Sequence, residues 1–188
     1  YAGAEGNLEQ NTYSDFVNAN PYLSPTLNIA PTDKQYDIFA GLKGKLTNTV
    51  SYNLWASYVN ESDKALFKSN DYNEDSSNED YAFGNSLQVV YDDMKTVSFY
   101  GELKADISED VTFGIDGTFS SYTNDFQSEA WNLPAVKLNA KVDFNITEKW
   151  YAGANVFFVG ERKDQKLNTD IFYVVPPSPT TLDSYFDV

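Results

Sequence analysis

The stretch TVSFYGELKADI, residues 96–107, alternates without a break. Val97, Phe99, Gly101, Leu103, Ala105 and Ile107 fall on one side, and Thr96, Ser98, Tyr100, Glu102, Lys104 and Asp106 on the other. Successive side chains of a strand point to opposite faces, so this is a strand with one oily face. Its twelve residues are about twice the length common in soluble proteins, where the mode is roughly 5 to 6. Either a protein core or lipid must cover that face.

The pattern recurs on both sides of this stretch. Residues 35–46 set Tyr36, Ile38, Ala40, Leu42 and Leu46 against Gln35, Asp37, Lys43 and Lys45, and residues 50–60 set Val50, Tyr52, Leu54, Ala56 and Tyr58 against Ser51, Asn53 and Ser57. Residues 111–123 set Val111, Phe113, Ile115 and Phe119 against Thr112, Asp116, Thr118 and Ser120. The cleanest alternation is 135–146, with Val136, Leu138, Ala140, Val142, Phe144 and Ile146 against Lys137, Asn139, Lys141, Asp143 and Asn145. Residues 150–162 follow, with Trp150, Ala152, Ala154, Val156 and Phe158 on one side, and a last alternation opens at Leu182 and Phe186 as a strand cut short at 188. All seven prolines lie outside these segments or at their margins, as strand interiors need every N–H for the ladder.

Connections come in two sizes. TNT (47–49), SED (108–110) and TEK (147–149) are tight polar turns, whereas 7–34, 61–85, 124–134 and 163–181 are long and rich in Asn, Asp, Ser and Pro. In an up-and-down barrel the two sizes alternate, because successive hairpins lie on opposite membrane sides. A turn at YDDMKT (91–96) would break that alternation, so 86–107 is one long strand. Residues 97–107 then form the roughly 9 to 11 residues of a tilted membrane-spanning strand, and 86–96 project beyond it. Every tight turn falls on one side, the periplasmic one in the usual arrangement, which makes the long loops extracellular. Trp150, Tyr151, Tyr58 and Tyr122 suit aromatic girdles at the two interfaces.

Composition narrows the function. The aromatic share, 14 Tyr and 13 Phe, favours strands over helix. Twenty-eight acids against 13 bases give a net charge of −15, which speaks against nucleic acid, whose phosphates need clustered Lys and Arg. The sequence has no Cys and no His, which removes thiolate chemistry and the commonest general base and metal ligand. No apolar run approaches the roughly 20 residues of a spanning helix; a closed β-barrel is the other structure that satisfies its backbone in lipid. The opening YAGAEGNL has no basic, cleavable leader and reads as processed or cut.

Soluble sandwiches share the one-sided alternation; strand lengths of 11 or more and the up-and-down order favour a membrane barrel. Asp71, Asn73 and Asp75 have the spacing that opens an EF-hand, but Ser76 stands where Gly is needed and Ala82 where a bidentate Glu is needed. A solvated external loop explains that stretch. Glu102 with Lys104, and Lys141 with Asp143, read as ordinary lumen-facing charges, and Trp131 and Phe126 as loop aromatics able to contact glycans or a partner. IFYVV (171–175) reads as a ligand-contacting patch or a short strand extending a hairpin. No catalytic, cofactor-binding or metal-binding residue is assigned.

The runs YDIFAGLKGKL, NLPAVKLNAKVDFNITEKWYAGANVFFVGERKD and LDSYFDV resemble the later part of the barrel of TonB-dependent receptors, particularly the receptor-like outer-membrane proteins of Bacteroidota. That resemblance implies a barrel of 22 strands around a plug, energised through an inner-membrane complex, that imports chelated iron, vitamins, glycans or peptides. Neither a plug nor a TonB box is found here, so residues 1–188 are expected to form a single β-barrel region that is a piece of a larger barrel. The implied partners are outer-membrane lipid, other outer-membrane or periplasmic proteins including the TonB system, and a small ligand of open identity. The expected function is ligand uptake across the outer membrane of a Gram-negative cell, without enzymatic activity. The alternatives are a structural or partner-binding barrel subunit of an assembly or secretion complex, and a soluble secreted β-sandwich binding module.

Overall fold

The alternating stretches pair with one another in the order in which they occur. A computed structural model describes residues 1–23, 27–70, 86–147, 149–166 and 178–187. Its elements are β1 (Ala2–Glu9), α1 (Tyr13–Ala19), β2 (Thr32–Lys45), β3 (Val50–Ser69), β4 (Leu87–Asp106), β5 (Val111–Asn124), β6 (Val136–Thr147), β7 (Trp150–Val159), β8 (Arg162–Lys166), β9 (Ser178–Leu182) and β10 (Tyr185–Asp187). β1 to β7 and β10 form one antiparallel up-and-down sheet, and β8 pairs with β9 in a separate two-stranded ladder. The fold is all-β. The expected single strand 86–107 is β4, 20 residues long.

Register brings the apolar residues into rows. Leu42, Leu54, Gly101, Gly117, Leu138, Phe158 and Phe186 stand side by side from β2 to β10. The next row toward the tight turns is Gly44, Tyr52, Leu103, Ile115, Ala140 and Val156. Paired residues point to the same face, so one side of the sheet is a continuous apolar band. Leu42 is 67% exposed, Phe99 59% and Phe119 54%; among the described residues no second sheet or helix layer covers them, as a β-sandwich would require. Among the described residues the buried hydrophobics are Phe16, Leu66, Met94 and Trp131, none of which lies in that band.

β3 runs nine residues past its expected end at 60. The reason is a β-bulge: Glu61 pairs with Met94 but Lys64 with Asp92, so β3 carries one extra residue. Asp63 takes a left-handed φ of 53° there, and its N–H donates to an Asp93 Oδ1 at 3.1 Å. A bulge reverses the phase of the alternation, which hides residues 64–69 from a period-two reading. β2 has its own register shift between Lys34 and Tyr36, at the same height on the neighbouring strand.

The expected loop 163–181 likewise starts as strand, since β8 continues β7 past Gly160 and β9 runs up to β10. Loop 7–34 contains α1, whose Thr12 and Asp15 form a capping box. β1 and β10 lie at opposite edges and do not pair with each other, so the sheet is an open arc. The EF-hand-like stretch and IFYVV lie outside the described residues.

Candidate functional site

The face opposite the apolar band is a polar wall. Lys43, Asn53, Glu102, Asp116 and Asn139 form one row across five strands, and Lys45, Ser51, Lys104, Gly114 and Lys141 the next. Asn139 donates from Nδ2 to an Asp116 Oδ1 at 2.9 Å, and Lys141 pairs with Asp143 at 2.9 Å. The candidate charges Glu102, Lys104, Lys141 and Asp143 therefore come together, around a cavity of about 310 Å³. The adjoining row is aromatic: Trp55 stacks on Tyr100 with centroids 5.3 Å apart. Tyr1 lies across Gly41, where a Cβ would meet its ring at 2.5 Å, and donates its hydroxyl to Asn53 Oδ1 at 2.8 Å.

Beyond the band the β3–β4 hairpin carries protein on both sides. On the outer side Phe16 of α1 meets Phe67 edge-on at 5.8 Å. Tyr91 accepts the Ala30 N–H and donates to the Asn28 carbonyl, each at 2.9 Å. On the inner side the loop after β5 folds over Leu66 and Met94 and packs Trp131 with them, while Val90, Tyr122, Ala130 and Leu133 pack against the cluster. Trp131, expected as an accessible loop aromatic, is 4% exposed; it is the centre of a small core, because Nε1–H finds Gln127 Oε1 at 3.0 Å and its ring takes the Lys68 ammonium at 5.7 Å. Phe126 is 76% exposed and stays accessible.

Two buried carboxylates lock this head. Asp92 accepts the N–H groups of Asp125 (3.1 Å), Phe126 (2.9 Å) and Gln127 (2.6 Å). Three consecutive backbone donors on one carboxylate form a strong, charge-assisted clasp. Asp164 of β8 accepts the N–H and the hydroxyl of Ser69, both at 3.0 Å, and Asn132 donates to Phe67 O at 2.9 Å. The β8–β9 ladder thus leans across the polar side onto the tip of β3.

Between the loop and β8 lies a cleft of about 430 Å³ lined by Tyr122, Asn124, Gln127, Glu129, Glu161, Arg162 and Lys163, among others. The sequence singles out none of these as a ligand residue, and reads Tyr122 only as a girdle aromatic. A lone Asn or Arg near a loop carries no pattern that distinguishes it from a solvated one. No group of three or more His, Cys, Asp or Glu side chains suited to a metal ion occurs among the described residues.

No family model matches the sequence, and no curated protein does. Solved structures share the fold. The copper transporter OprC superposes with a TM-score of 0.58 at 11% identity, over 99% of this chain and 27% of that one. The pyoverdine outer membrane receptor FpvA from Pseudomonas aeruginosa PAO1, bound to pyoverdine, superposes with a TM-score of 0.59 at 13% identity, over 99% of this chain and 26% of that one. The chain spans about a quarter of the length of these structures, and what it shares with them is the antiparallel wall.

Proposed function

We propose that this chain forms wall and external vestibule of an outer-membrane β-barrel of the TonB-dependent receptor type, which takes up a small ligand without enzymatic activity. One observation carries the reading: a continuous apolar band that no described residue covers, backed by a charged wall on strands of 10 to 20 residues. Hydrocarbon is the solvent that suits the band, and a water-filled or plugged lumen suits the other face. Further strands complete the arc on both edges, because unpaired backbone groups in lipid cost several kcal/mol each. The tight turns then face the periplasm and the head faces outward, with energy supplied through the TonB system. The Bacteroidota resemblance and the likeness to two outer-membrane or metal-transporting folds support this assignment.

Membrane fractionation tests it. The protein is expected in the outer membrane, released only by detergent, and running faster on a gel unheated than boiled. Recovery in the aqueous fraction without detergent sinks the reading.

A further inference from the structure

We infer that the β8–β9 hairpin is a hinged flap, latched shut by Asp164, that controls access to the cleft between the loop after β5 and β8; this rests on the barrel reading only for which side the cleft faces. The hinge is legible in the register. β7 pairs with β10 up to Val159 and Tyr185, and β8 pairs with β9 from Arg162 and Leu182 onward. Residues 160–161 and 183–184 lie between, at one height on the two strands, and belong to neither ladder. On the wall side the Gly160 N–H donates to Val136 O at 2.8 Å, so the freedom begins just beyond it. A ribbon that loses its cross-strand bonds on both strands at one level bends there more readily than within either ladder.

The bonds that hold the flap against the head are polar. Asp164 accepts the Ser69 N–H and hydroxyl, both at 3.0 Å, and the Lys163 carbonyl accepts the Asn132 N–H at 2.8 Å. The buried cluster of Leu66, Met94 and Trp131 takes no side chain from β8 or β9. A two-stranded ladder alone is marginal in water, and segments with few buried apolar contacts open at low cost while the rest stays folded. Arg162, the first residue of β8, has a buried Nε without a hydrogen-bond partner among the described residues. The shut state bears that cost, and water relieves it once the strand moves. Glu161, Arg162 and Lys163 line the cleft of about 430 Å³ from one side, and Tyr122, Gln127 and Glu129 line it from β5 and the loop that follows. The strand that carries the latch is thus also a wall of the cleft, so releasing Asp164 widens it.

Hydrogen exchange read by mass spectrometry on the intact, detergent-solubilised protein tests the flap. β8 and β9 are expected to exchange at one common rate, about tenfold or more faster than β5 and β6. Asp164→Ala is expected to raise that rate in both strands by about a further tenfold, as loss of a charge-assisted acceptor implies, with β5 and β6 unchanged. Access is read separately: the thiol of Glu129→Cys is expected to react with a bulky maleimide about tenfold faster once Asp164→Ala is added. Unlike rates in β8 and β9, exchange of both in step with β5 and β6, acceleration confined to β8, or thiol reactivity indifferent to Asp164→Ala overturns the assignment. The wild-type exchange comparison needs no variant to fold. Heat-modifiable migration of the same preparation reports on the barrel separately: a barrel that migrates correctly while β8 and β9 exchange in step with the wall sinks the flap alone.

Discussion

Asp92 is 2% exposed and holds three backbone donors, so its loss leaves them unmet beneath the loop. Asp92→Ala is expected to loosen residues 125–135 by about 2 to 4 kcal/mol, with charged hydrogen bonds contributing roughly 1.5 to 3 each before compensation by water. Faster amide exchange at Phe126 and Gln127, with the strands unchanged, is the readout. Tyr122, above the apolar band, donates to Pro134 O at 3.0 Å, and burial raises its phenol above the ordinary value. The folded state thus keeps this proton longer than the unfolded chain. The stabilisation is complete below the usual tyrosine range, about 10, and is lost as pH rises through the higher folded value. Tyr122→Phe is expected to remove that part of an alkaline transition followed by tyrosinate absorbance.

At the scale of elements, the strands were legible because rows such as Val136 to Ile146 obey a period of two, and the long β4 because an extra turn would have broken the alternation of connections. What escaped was everything built on irregular backbone. Leu66 and Phe67 look out of phase with Val50 to Tyr58 because the bulge at Asp63 shifts them. The clasp at Asp92 is invisible for a different reason: it joins a strand to a loop 33 residues later, and a carboxylate carries no local mark of its distant partners. Asn124 and Arg162 line one cleft only through the fold. Asp63 itself yields a prediction. Its left-handed φ is tolerated by Asp and free for Gly, but costs a β-branched side chain about 1 to 2 kcal/mol. Asp63→Val is expected to lower the barrel's thermal midpoint while Asp63→Gly leaves it near wild type.

For the whole molecule the decisive asymmetry is between the two faces. Leu54 sits in the middle row of the band, 49% exposed. Leu54→Arg is expected to destabilise the folded barrel in lipid by about 2 to 4 kcal/mol, the midplane value for a lipid-facing cation, measured by urea titration in bilayers. Thr118→Arg, on the polar wall, is expected to be tolerated. Equal penalties would mean that both faces meet the same medium.

The extra residue in β3 has a wider meaning. Below Asp63 the even-numbered side chains of β3 join the apolar band; above it they turn to the opposite face, where Leu66 meets Trp131. One residue is therefore a parity change between two readerships of the same strand. Shortening β3 by that residue would turn Leu66 outward and Phe67 inward, everting the head while the wall stayed put. Trp131 emission is expected to move to longer wavelength in that deletion, with outer-membrane insertion retained.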